Sequence, residues 1–101
     1  MKVEDMVAVR IYVTEASNLE KKIINYLQKE INIHGFSVFR AVSGSGETGV
    51  RKSSLMDLSL DLPLVIEFFD YANKVNEAIE QLSNTMQLRH IISWAVKVHS
   101  Q

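Results

Sequence analysis

The 101-residue chain reads as a single α+β domain, residues 1–101, of ferredoxin-like β-α-β-β-α-β type: a four-stranded antiparallel sheet with two helices on one face. Three observations lead there. Two segments repeat apolar residues at helical spacing, four are rich in β-branched and aromatic residues, and the order of the six matches two interleaved β-α-β halves.

Met6 to Val13 opens the order as a nearly continuous apolar, β-branched run, the pattern of a strand. Leu19, Ile23, Tyr26, Leu27 and Ile31 then recur every three or four residues and share one helix face. Ser17 followed by Glu20 predicts a capping box at the start of this helix, and Gly35 is the expected left-handed residue beyond its end. Phe36 to Val42 is the second strand. Leu64 to Phe69 is the third, with Pro63 ahead of it in a position where proline costs no ladder hydrogen bond. Val75, Ile79, Leu82 and Met86 mark the second helix, with Asp70 placed to cap it. Ile91 to Val98 closes the order as an alternating strand, in which Trp94 is expected in the core.

In this topology the first and third strands are central, and they are also the most apolar. If Val7, Val9, Ile11 and Val13 face the helices with Leu64, Ile66 and Phe68, then Met6, Ala8, Arg10, Tyr12, Val65, Glu67 and Phe69 face away. That outward set is too apolar for a solvated sheet, so an oligomer burying it is expected, with Arg10 and Glu67 paired across the central strands.

Composition excludes several classes. Eleven basic against twelve acidic residues leave a net charge of −1, which provides no global field for nucleic acid. The absence of cysteine excludes disulfides, thiolate metal sites and cysteine nucleophiles. The N-terminal pattern is neither a signal peptide nor a membrane span, so the expected location is cytoplasmic. The carboxylates Glu47, Asp57, Asp61 and Glu67 show no pairing for acid–base work, and no enzyme is predicted. His34, His90 and His99 are too dispersed for an evident metal site. Tyr12 and Phe69 do not form an RNA-stacking motif.

The pattern breaks from Ser43 to Leu62. The run Ser43-Gly-Ser-Gly-Glu-Thr-Gly49 is followed by Arg51, Lys52, Ser53 and Ser54, and 43–57 reads as a long flexible loop. Glycines let backbone N–H groups converge on an anion, Arg51 and Lys52 supply charge, and Ser43, Ser45, Ser53 and Ser54 supply hydroxyls. A solvated loop without a ligand fits the same composition. P-loop spacing is absent.

Two motifs carry a resemblance. His34-Gly-Phe-Ser-Val-Phe-Arg-Ala-Val-Ser-Gly-Ser-Gly46 and, more specifically, Leu58-Ser-Leu-Asp-Leu-Pro-Leu-Val-Ile-Glu-Phe-Phe-Asp70 resemble the domain-of-unknown-function 190 proteins, and Arg10-Ile-Tyr-Val13 fits their opening strand. The similarity runs from about Val9 to Val98. That family is placed with the PII-like proteins. The resemblance implies a homotrimer with its sheets inward and a small anionic ligand or nucleotide bound in clefts between subunits. No resident cofactor is implied; an adenine nucleotide is the candidate effector. The long loop would report occupancy to a target protein such as a transporter or enzyme, reached in the case of a membrane protein at its cytoplasmic face.

By position, Arg40, Ser43, Gly44, Ser45, Gly46, Arg51 and Lys52 form the loop side of the site. The glycine-rich basic loop of PII proteins is replaced by Ser83-Asn-Thr-Met-Gln-Leu-Arg-His90, where Arg89 and His90 are the candidate donors. The uridylylation tyrosine of PII proteins has no counterpart here. Two alternatives stay open: an assembly trimer without a small ligand, and a PII-like protein of the metal-tolerance type.

Overall fold

The structure, a computed structural model, describes residues 1–33, 35–46, 49–52, 63–88 and 90–101; within 43–52 the description is of the backbone. The strands β1 (Lys2–Thr14), β2 (Gly35–Arg40), β5 (Pro63–Asp70) and β6 (His90–Ser100) form one four-stranded sheet. Its order is β2-β5-β1-β6 and every neighbouring pair is antiparallel. Helices α1 (Leu19–Asn25) and α2 (Ala72–Thr85) complete the ferredoxin-like β-α-β-β-α-β order. The fold class read from the sequence is therefore present.

The core forms where the two central strands meet the helices. Val9, Ile11, Val13, Leu64, Ile66 and Phe68 pack with Ile23 and Leu27 of the first helical segment and with Val75, Ala78 and Leu82 of α2. In the register Val9 lies opposite Phe68, Ile11 opposite Ile66 and Val13 opposite Leu64. Opposed residues share a face, so these six side chains form one apolar sheet surface.

Several local expectations are corrected. No capping box forms at α1. Glu15–Ser17 is a 3-10 turn, in which the Ser17 hydroxyl donates to the Thr14 carbonyl (2.7 Å) and its oxygen accepts from Leu19 N (3.3 Å). The chain enters α1 through Asn18 in the left-handed region (φ 58°). Beyond Asn25 the helix widens into a π-helical turn, Tyr26–Glu30, with Ile31 N donating to Tyr26 O. The left-handed residue that ends this segment is Asn32 (φ 55°), whereas Gly35 already belongs to β2. Asparagine tolerates this conformation through local hydrogen bonding of its short side chain.

Asp70 likewise lies one position early for a cap. It is the buried last residue of β5, its carboxylate accepts from Tyr71 N (2.8 Å), and Tyr71 is the N-cap position of α2. β1 and β6 are longer than their apolar runs, because Lys2–Asp5 pairs with Lys97–Ser100 beyond the end of β5. Backbone pairing, not side-chain pattern, extends this two-stranded arm. Lys97 donates to Asp5 within it (2.5 Å).

The expected loop over 43–57 falls partly outside the described residues, and its first part has structure of its own. Ser43–Gly46 (β3) and Gly49–Lys52 (β4) pair as an antiparallel ribbon, with Ser43 opposite Lys52 and Gly46 opposite Gly49. The segment leaves and rejoins the sheet at one point, where Ala41 N donates to Pro63 O (3.0 Å).

A further tie joins α2 to the arm: the Tyr71 hydroxyl donates to the Glu4 carboxylate. This bond, with a smaller contribution from burial, raises the phenol above its ordinary value of 10.0. Because the folded-state value is the higher one, the stabilisation is complete below the ordinary phenol pKa and fades as pH rises through the raised one. Burial raises the Tyr26 phenol as well. Ultraviolet titration should therefore find two tyrosines ionising later than free tyrosine. One of them should vanish in Tyr71→Phe and move back toward normal in Glu4→Gln. For the core, Phe68→Ala should cost about 3–5 kcal/mol in urea unfolding, whereas Val42→Ala, on an exposed side chain, should stay within about 0.5 kcal/mol.

Candidate functional site

Thr14, Arg40, Pro63 and His90 all stand at one end of the sheet, where β1 and β2 finish and β5 and β6 begin. The β3–β4 ribbon leaves from this same end, so the nominated residues that the structure describes share one pole of the molecule. Arg89 lies outside the described residues, and the side chains of Ser43, Ser45, Arg51 and Lys52 are likewise outside the description.

Arg40 is the last residue of β2 and sits opposite Leu64, which sits next to Val13 of β1. Those partners belong to the core face, so Arg40 emerges on the helix side at the rim of the core. There its guanidinium forms an ion pair with Glu15 in the turn that follows β1. Glu15 escaped the sequence reading because its only signal is a bare carboxylate in a polar turn, and its partner lies 25 positions away (40 − 15).

His90 opens β6 opposite Tyr12 and is exposed. By register it belongs to the far face, not to the helix side. Between β2 and β6 stand β5 and β1, so three interstrand steps of about 4.8 Å put roughly 14 Å between the two rims. A single chain thus places Arg40 and His90 at one pole but on opposite edges and opposite faces. It does not bring them together around one small ligand.

The far face is a second candidate surface. Phe39 is 51% exposed, Ile92 45% and Trp94 40%, and they stand beside Val65, Phe69 and Val96. Trp94 is therefore a surface residue, correcting the core assignment. Met6 and Ala8 lie on this face too, but are buried, opposite Val96 and Trp94 on β6.

Arg10 is the polar centre of the face. Its Nε donates to Glu67 Oε1 (2.8 Å), and its guanidinium carbon lies 5.7 Å from the centroid of the Trp94 ring. The bond to Glu67, seconded by one to Tyr12, raises the guanidinium above its already high ordinary pKa. An arginine satisfied in this way within its own chain adds little unpaired charge to the surface.

An open cleft of about 700 Å³ lies at the opposite pole, lined in part by Asn32, Asp70, Tyr71 and Lys74. Its ammonium is engaged: Lys74 donates to the Asn32 carbonyl (2.6 Å) and stands 3.7 Å from Asp70. None of the nominated ligand residues that the structure describes lines it. Among the described residues no three of His, Asp and Glu are grouped as metal ligands, and no helix is long and apolar enough to cross a membrane.

Comparison with known proteins fits this architecture. The chain is 34% identical over 87 residues to a UPF0166 protein of Aquifex aeolicus, covering 81% of this chain and 83% of that protein. It is 28% identical over 88 residues to a UPF0166 protein of Methanocaldococcus jannaschii, covering 82% and 81%. Among solved structures, CPII from Thiomonas intermedia bound to ADP and bicarbonate superposes with a TM-score of 0.69 at 16% identity, covering 96% of this chain and 89% of that one. The same protein bound to ADP, AMP and acetate gives 0.71 at 13% identity, covering 99% and 94%. A PII-like signalling protein from Thermus thermophilus gives 0.68 at 16%, covering 97% and 91%. At such identities the superpositions establish a shared PII-like fold. The model of the domain-of-unknown-function 190 family, described as uncharacterized ACR, matches residues 6–98, and with that span and the Aquifex relative the chain belongs to this family.

Proposed function

We propose that this protein is a non-catalytic, cytoplasmic PII-like sensor that works as a homotrimer. Its ligand is a small anion or an adenine nucleotide held between subunits, and segment 43–57 reports occupancy to a partner protein such as a transporter or enzyme. One observation carries the reading: of the basic residues nominated for the ligand, the two that the structure describes in the main sheet, Arg40 and His90, stand at one pole, divided between its two outer edges. Among the described residues, neither edge offers a complete set of donors. A neighbouring copy that brings its β6 beside β2 would remove the lateral separation and set the rim that carries His90 of one chain beside the rim that carries Arg40 of the next. The apolar far face favours the same assembly, since Phe39, Ile92 and Trp94 would be removed from water by it.

The ligand class rests on the chemistry of the arginine, histidine, glycine and hydroxyl groups that the sequence supplies in Arg40, Ser43 to Gly46 and His90. CPII, which shares the fold, has been seen with ADP, AMP and bicarbonate. The β3–β4 ribbon rises from the ligand pole, where a bound group would meet its base at Ala41 and Pro63. An assembly trimer that takes no small ligand draws on the same far face, and ligand binding separates the two readings.

Thermal denaturation in the presence of ADP, AMP or bicarbonate should raise the melting temperature by about 10–20 °C at about 100 times the dissociation constant, a gain of about 2.7 kcal/mol. No shift with any of them would leave the assembly reading in place of the sensor. Light scattering should return three chain masses at micromolar concentration. Trp94→Glu, which sets a carboxylate on the apolar face, should return one chain mass, and a wild-type monomer would remove the oligomer from the proposal.

A further inference from the structure

Arg40 is the last side chain of β2 before the ribbon, and it is already paired. Its partner Glu15 lies in the 3-10 turn between β1 and α1, so the ion pair bridges the rim of the core over the first residues of β5. The arginine side chain is 56% exposed and the glutamate side chain 18%. The carboxylate is thus held in the protein surface while the guanidinium faces solvent. A planar two-oxygen anion is the natural partner of a guanidinium, and Glu15 already supplies one.

We infer that Glu15 is an internal competitor for the ligand: its carboxylate occupies Arg40 in the empty protein, and an incoming anion must displace it. The inference rests on the reading of Arg40 as a ligand residue and gives that site its regulation. Exchange of one anion for the other conserves charge pairing at the guanidinium and needs no other reactant. It also uncouples two parts of the fold. With Glu15 bound, the end of β2 is tied to the β1–α1 turn; with an external anion bound, that tie is released. Shortly after Arg40 the chain enters β3, and the backbone bond from Ala41 to Pro63 closes the base of the segment at the same point. Occupancy is thereby converted into a change of restraint at the foot of the ribbon.

The favoured ligands are those with a carboxylate-like or phosphate edge, because they reproduce what Glu15 offers. A half-exposed ion pair is weak, so the competition is modest and an external ligand wins readily. A stronger, buried pair would lock the site against its ligand. A carboxylate far from Arg40, such as Asp5 at the opposite pole, plays no part in the exchange.

Isothermal titration with ADP of the wild type, Glu15→Gln, Arg40→Gln and the double variant tests the exchange. Glu15→Gln should bind about two- to fivefold more tightly than wild type, the range that an exposed ion pair of this kind is worth. Arg40→Gln should bind at least about tenfold more weakly, and adding Glu15→Gln to it should change nothing further, because the competitor has lost its object. An unchanged or weaker Glu15→Gln, with wild type binding normally, overturns the competition and leaves the sensor reading intact. A gain that persists without Arg40, or that Asp5→Asn reproduces, reduces the effect to general field and also overturns it. Binding by Glu15→Gln where wild type shows none would support the exchange in its strongest form. Absence of binding in both would overturn the exchange together with the ligand reading.

Discussion

The pairing of β1 with β5 sets the rest of the molecule. With Val9, Ile11 and Val13 opposite Phe68, Ile66 and Leu64, six apolar side chains stand on one face at a fixed register, and both helices must cover them. Because side chains alternate across a strand, a slip of one residue would turn the whole set to the wrong side, so burial of this face enforces the register. The same register decides what is left over. Arg10 must lie beside Glu67, while the separate pairing of β2 with β5 ends β2 at Arg40, next to Leu64 at the rim of the core. The polar features that matter for function are consequences of how the apolar ones pair.

On the far face this constraint produces an unusual combination. Aromatic and aliphatic groups cover most of it, yet its centre holds an arginine bonded to Glu67 and close to the Trp94 ring. A charge of this kind is expensive to remove from water alone, but less so when its partner travels with it in the same chain. In the proposed assembly each copy would bring an arginine already paired within its own chain, so that pairing errors between copies would cost little charge. The face is therefore suited to association in a way that a lone arginine in the same place would not be.

At the pole that holds Arg40 and His90 the arrangement is the reverse. Charge there is not settled at the centre of a face but distributed at rims, with Arg40 at the end of one outer strand and His90 at the start of the other. The pairing of Arg40 with Glu15 is exposed enough to exchange, whereas the backbone bond at Ala41 and Pro63 holds the base of the segment beside it. A weak contact next to a fixed one is what the proposed sensing would need: the first could exchange with a solute and the second would give the response a fulcrum. The open cleft at the other pole holds a lysine shared between Asn32 and Asp70.

Much of the architecture was legible in the chain itself. The 3.6-residue repeat of Leu19, Ile23 and Leu27, the apolar run of Leu64 to Phe69 and the order of the elements are local signals, and hydrophobic burial acts on them directly. The pairing of Arg10 with Glu67 followed once those two strands were placed side by side. Element ends were less legible: Asn18 and Asn32 rather than Ser17 and Gly35 shape the ends of the first helical segment, because backbone geometry there is settled by how the helix meets the sheet. Trp94 was misplaced for a related reason, since alternation shows that a residue has a face but not which face the helices cover. The ribbon in 43–52 escaped detection because glycine and serine carry no periodicity, and its strands are held by backbone bonds that any side chain permits. The order of the four main-sheet strands and the two helices could thus be read from residue pattern alone, since near neighbours carry that information. That Glu15 holds Arg40, and that Arg40 and His90 stand on separate edges, emerged only from the folded chain, since these facts depend on contacts between residues remote in sequence, which no local pattern encodes.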